Sequence, residues 1–138
     1  MAIKLNVELP RRRNAPHLSR RALEVFADEF EPERFYDARL LVTELMASAV
    51  AAGGTAPVRL EATLDGTRFR ADVTDMGGGF VGETRGIAAL DQAGWDLHLV
   101  AELADRWGTH ERQGVWFEID ITRDAAGVDF LRPRGASS

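Results

Sequence analysis

Three short segments hold residues whose types and spacing suit chemistry. In Leu41-Val42-Thr43-Glu44-Leu45-Met46-Ala47-Ser48-Ala49-Val50, a carboxylate and a hydroxyl stand four residues apart, at Glu44 and Ser48. On a helix that spacing stacks the two one turn apart on the same face. In Val73-Thr74-Asp75-Met76-Gly77-Gly78-Gly79-Phe80, an acidic residue at a strand end precedes three glycines. A carboxylate placed there inside a cleft accepts hydrogen bonds from a buried donor. The glycines can take φ > 0 and let backbone approach a ligand more closely than a Cβ would allow. In Gly94-Trp95-Asp96-Leu97-His98-Leu99-Val100, a glycine precedes a helix start, where exposed N–H groups favour anions. Asp96 suits the capping position of that helix, since its carboxylate satisfies orphan N–H groups at the positive helix end.

The elements that must position these residues follow from periodicity. Ile3–Leu9 alternates apolar and polar residues, the pattern of a half-buried strand. Leu18, Ala22, Val25, Phe26 and Phe30 recur at three- and four-residue spacing, which predicts an amphipathic helix from Pro16 to Phe30. Pro32 ends it, because the residue before a proline leaves helical geometry. A long helix is predicted from Glu33 to Ala52, with Phe35, Ala38, Leu41, Val42, Leu45, Met46, Ala49 and Val50 on one face and Gly53-Gly54 as its stop. Two strands, Val58–Leu64 and Arg68–Thr74, meet at the turn signal Asp65-Gly66. After the glycines and an irregular stretch come a short helix, Leu97–Ala104, and strands at Arg106–His110 and Val115–Ile121 around Gln113-Gly114. Two hairpins with helices gathered on one side predict an α+β fold, a two-layer sandwich with a mixed sheet covered by helices on one face. Residues 1–123 read as one domain and 124–138 as a loose C-terminal tail in which Val128, Phe130 and Leu131 are the groups able to dock. The stretch 81–93 reads either as a mobile lid or as a short packed helix around Ile87-Ala88-Ala89-Leu90.

Bulk properties narrow the function. The 138 residues fit a single domain with enough length to bury a core. With no cysteine, disulfides, thiolate-bound zinc and cysteine nucleophiles are excluded. The three histidines, His17, His98 and His110, have no metal-ligand spacing and read as surface or edge residues. A net charge of -5 argues against nucleic-acid binding, which is driven by neutralising phosphates. The one basic run, Arg11-Arg12-Arg13, reads as a solvated loop before a helix. No apolar stretch spans a membrane and the N-terminus lacks a signal-peptide core, so a cytoplasmic protein is expected.

Taken together, the three segments resemble the signature boxes of the GHKL (Bergerat-fold) ATPase superfamily, and most closely its anti-sigma-factor serine kinases and their actinobacterial relatives. The likeness runs from about Ala22 to Ile121. That family reads Glu-Leu-x-x-Asn-Ala in the first box, Asp-x-Gly-x-Gly in the second and Gly-x-Gly-Leu in the third, and both order and spacing match here. Asp105-Arg106-Trp107-Gly108 and Val115-Trp116-Phe117-Glu118 look like the closing strands of the same branch. The resemblance implies ATP and Mg²⁺ as cofactors. It gives Asp75 the adenine amino group, Gly77 and Gly79 the close approach to the base, and Gly94, Asp96 and Leu97 the phosphate side of the pocket. Glu44 becomes the general base or water-orienting carboxylate of phosphoryl transfer. The implied partners are a sigma factor or a small anti-anti-sigma protein of the STAS type, with a homodimer as the plausible assembly.

Two positions depart from the family. Its Mg²⁺-holding asparagine is Ser48 here, a shorter oxygen ligand that would need a bridging water or a shifted metal. The middle glycine of the third box is Asp96. A carboxylate about 4 Å from a phosphate costs roughly 4 kcal/mol at an effective dielectric near 20, about a thousandfold in affinity. Two functions from different classes therefore stand side by side. One is an ATP-dependent serine/threonine protein kinase in a partner-switching circuit, and the other is a binding module of the same fold without catalysis. The glycine run also fits a dinucleotide fingerprint, but that motif needs a strand-helix-strand unit, and the preceding strand is predicted in a hairpin.

Overall fold

The structure, a computed structural model, describes residues 2–76, 97–110 and 113–122. The alternating N-terminal run forms β1 (Ala2–Leu9), with Ile3, Leu5, Val7 and Leu9 packed against the core. Next come α1 (Ala15–Ala22), a 3-10 helix (Leu23–Glu29) and α2 (Pro32–Ala51). The single amphipathic helix expected from Pro16 to Phe30 is thus two pieces. In the tighter 3-10 winding, residues three apart eclipse one another. Leu23 and Phe26 consequently turn inward, while Val25, expected on the inner face, is 57% exposed.

Helix α2 follows its sequence pattern closely. Glu31 caps it in an extended conformation and Pro32 opens it, where the missing N–H leaves no helical bond unmade. Ala38, Leu41, Val42, Leu45, Met46 and Ala49 are all buried. Gly53 and Gly54 end it at φ 84° and 110°, in the region that favours glycine.

The hairpin of β2 (Val58–Asp65) and β3 (Arg68–Asp75) turns at Gly66-Thr67, with Gly66 at φ 63°. After the undescribed stretch 77–96 come α3 (His98–Leu103), β4 (Arg106–Thr109) and β5 (Gly114–Asp120). The strands form one sheet in the order β1-β2-β3-β5-β4. The expected α+β two-layer arrangement is present, but among the described residues the sheet is not mixed: all four pairings are antiparallel. β3 and β4 run in the same direction, but β5 lies between them, just as β2 lies between β1 and β3.

Strand parity divides the sheet. One face carries Val58, Leu60, Phe69, Ala71, Val73, Val115, Phe117 and Ile119, all buried in the core with α2 and the 3-10 helix. Phe69 is its hub, with ring centroids 5.1 Å from Phe26, 5.2 Å from Phe30 and 6.2 Å from Phe117. The other face is polar. There the Arg70 guanidinium lies 4.3 Å from the centre of the Trp116 ring, and a Cβ on Gly108 would stand 2.6 Å from the Trp116 indole nitrogen. Hydrogen bonds from Arg59 to Glu8 and from Arg106 to Glu118 raise the pKa of both guanidinium groups above the usual arginine value.

Candidate functional site

The residues singled out on α2 and β3 converge at one end of the sandwich. Phe69, Ala71, Val73 and Asp75 occupy alternate positions of β3 and are all buried. Asp75 is therefore the last position of the strand facing the helix layer. Its backbone is fixed on both sides: the Asp75 N–H donates to the Gln113 carbonyl at 2.7 Å, and the next N–H, of Met76, donates to Pro57 at 3.1 Å. Gly114 permits this closeness, since a Cβ there would meet the Val73 carbonyl oxygen at 2.2 Å.

An ionised carboxylate turned into an apolar layer is strongly unfavourable unless it is paired. The partner here is Arg11. One of its terminal nitrogens donates to Asp75 Oδ1 at 2.6 Å, and the two side chains are only 3% and 7% exposed. The other terminal nitrogen donates to the Ala49 carbonyl on α2, and Nε donates to the Ala56 carbonyl at 3.0 Å. A single planar guanidinium thus joins the end of α2, the connection to β2 and the end of β3. This corrects the expectation that residues 11–13 form a solvated loop. Arg12 and Arg13 are exposed, but the Arg11 side chain is buried. Strand parity could have signalled the need for a cation here. The identity of that cation lay 64 positions away in the sequence.

Ser48 immediately precedes Ala49, so it lies beside this junction, and it is buried at 8% exposed. Glu44, one turn earlier, is half-buried. The other end of α2 is pinned separately. Arg34, 2% exposed, donates to Asp37 at 3.2 Å, to Asp105 at 2.8 Å and to the Asp120 carbonyl at 3.0 Å. The helix carrying Glu44 and Ser48 is therefore held by a buried arginine near each end.

The third box is reached only in part. Gly77, Gly79, Gly94 and Asp96 lie outside the described residues, as do the stretch 81–93 and the tail 124–138. Helix α3 begins at His98, and Leu97 rather than Asp96 occupies its capping position. Leu97 packs against the core, and its carbonyl accepts the Ala101 N–H at 3.0 Å. His17 and His98 are exposed, and His110 Nε2 lies 2.7 Å from the Asp72 carboxylate. Among the described residues no group of three His, Cys, Asp or Glu could hold a metal, and no helix is long and apolar enough to cross a membrane.

In kind, these groups suit a nucleotide. Asp75 is an acceptor facing inward at a strand end, Ser48 offers a hard oxygen, and Glu44 offers a carboxylate one turn away. No curated protein matches the chain. Residues 10–119 match the model of the histidine kinase-like ATPase domain, a span that runs from just after the end of β1 through all but the last residue of β5.

Proposed function

The chain belongs to the histidine kinase-like ATPase domain family, and we propose that it is a regulatory member resembling anti-sigma-factor serine/threonine kinases, with an altered nucleotide pocket. In this reading it controls transcription by partner switching, exchanging between a sigma factor and a STAS-type anti-anti-sigma protein, and it self-associates as a homodimer. The observation that carries the reading is the meeting of Asp75 with the Ser48-Ala49 turn of α2 at one guanidinium.

Asp75 would accept the adenine amino hydrogen, and Gly77 and Gly79 would let backbone approach the base. Gly94, Asp96 and Leu97 would border the phosphates. ATP with Mg²⁺ would supply the transferable phosphoryl group and the charge that neutralises it. Ser48 would hold the metal through a water molecule, because its hydroxyl is shorter than the family's asparagine side chain. Glu44 would orient the hydroxyl of a partner's serine or threonine and take its proton.

A second reading draws on the same junction, in which the carboxylate of Asp75 is already met by Arg11. It makes the chain a protein-binding module of the same fold that does not take ATP. Calorimetric titration with ATP and with ADP, each with Mg²⁺, separates the two. Saturable binding below about 1 mM, a free energy beyond roughly −4 kcal/mol, supports the first reading. A phosphotransfer assay on STAS-type partners would then follow. Absence of heat up to several millimolar would sink the first reading and leave the protein-binding module.

A further inference from the structure

We infer that Arg11 is an internal competitor for the base-reading carboxylate, so that an adenine nucleotide enters only when Arg11 leaves Asp75. The inference rests on the proposed role of Asp75 and adds a residue that no signature box contains. The adenine amino group and an arginine terminal nitrogen are the same kind of donor: a planar sp² N–H beside a second nitrogen of an amidine-like unit. The guanidinium already places such a donor 2.6 Å from Asp75 Oδ1, within a pair whose side chains are 3% and 7% exposed. Two donors cannot share that position on Oδ1, so a base that reads the same oxygen has to displace the guanidinium. Discrimination at this site is therefore set by a residue 64 positions before the carboxylate.

Withdrawal of Arg11 is mechanically simple. It sits in the short connection between β1 and α1, where the Arg12 N–H donates to Pro10 at 2.8 Å and the Ala15 N–H donates to Arg12 at 2.9 Å. Arg12 and Arg13 already extend into solvent from that turn. Rotation of the Arg11 side chain would put a third guanidinium beside them without unwinding α1. It would also release the Ala49 and Ala56 carbonyls, so that nucleotide entry loosens the link between α2 and the connection to β2.

The test is titration of the wild-type chain and Arg11→Met with Mg-ATP and Mg-ADP, with thermal unfolding of each protein as the folding control. Arg11→Met is expected to bind about ten- to a hundredfold more tightly, the scale of one charge-assisted hydrogen bond that no longer has to be displaced. Equal or weaker binding by folded Arg11→Met overturns the inference and leaves the nucleotide reading standing. Binding by neither protein overturns both. Should Arg11→Met fail to fold, wild-type protein labelled with ¹⁵N-arginine answers the same question. The Arg11 Nε–H signal should be protected from solvent exchange without nucleotide and lose that protection at saturating Mg-ADP. A signal that neither shifts nor loses protection at saturation overturns the inference.

Discussion

Asp75→Ala should destabilise this protein far more than loss of a ligand-reading group would. The carboxylate is one half of a pair with 2.6 Å between charged atoms and almost no solvent access to either side chain. Removing one partner of such a pair leaves an uncompensated buried charge, at a cost of about 3–5 kcal/mol. Against a typical total stability of about 5–15 kcal/mol, that is a large share, and it corresponds to a fall in Tm of roughly 10–20 °C for a domain of this size. Arg11→Met should be similarly severe, because it also strands the Ala49 and Ala56 carbonyls. The double variant should be much better than the sum of the two, since no lone charge remains. A coupling energy of about 3 kcal/mol is expected, at the upper end for contacting residues. The exposed pair Arg59 and Glu8, with side chains 33% and 49% accessible, is the control and should couple by less than about 1 kcal/mol. Urea denaturation at low and at high salt reads both cycles. Salt should weaken the control pair and leave the Arg11–Asp75 coupling nearly unchanged. Additivity of Arg11→Met and Asp75→Ala within about 0.5 kcal/mol would refute the buried pair, and with it the physical basis of the competition described above.

Three other outcomes are expected. Glu44→Gln should leave stability within about 0.5 kcal/mol, because the change is isosteric and the side chain is only half-buried, and should lower phosphotransfer to a STAS-type partner by about 10²–10⁴ in single-turnover assays. Arg34→Ala should cost about 3–5 kcal/mol in chemical denaturation, since it removes the buried guanidinium that donates to Asp37, to Asp105 and to the Asp120 carbonyl. Gly108→Ala should cost about 1–3 kcal/mol, because the new methyl would lie 2.6–2.8 Å from three atoms of the Trp116 indole. Pairing it with Trp116→Leu should restore most of that loss in thermal melts, and a failure to do so would place the strain elsewhere.

Much of the fold was legible because its signals are local. The alternation of β1, the broad apolar face of α2 and the Gly66 and Gly53-Gly54 turns each act within a few residues, and each element formed within a residue or two of its expected bounds. The reading failed where two local geometries share a pattern. Spacings of three and four fit an α-helix and nearly fit a 3-10 helix, and only packing against Phe69 decides that Phe26 turns in and Val25 out. It failed again over the sheet, where helical and strand periods fix the elements but not which strand lies beside which. The insertion of β5 between β3 and β4 is a tertiary choice.

The candidate site divides along the same line. Asp75, Ser48 and Glu44 could be picked from types and spacing because each lies inside a short segment. Arg11 could not, because its identity as a partner depends on the β1–α1 connection closing over the far ends of α2 and β3. Yet the need for such a partner was implicit. Phe69, Ala71 and Val73 set the parity of β3, parity turns Asp75 inward, and an inward carboxylate must meet a donor. Either that donor comes from the chain or it comes from a ligand. In this protein the chain supplies it, and a ligand that needs the same oxygen must therefore compete with a residue rather than with water. On the proposed role of Asp75, affinity at this pocket is governed by how readily one arginine is released, as much as by the residues that would touch the nucleotide.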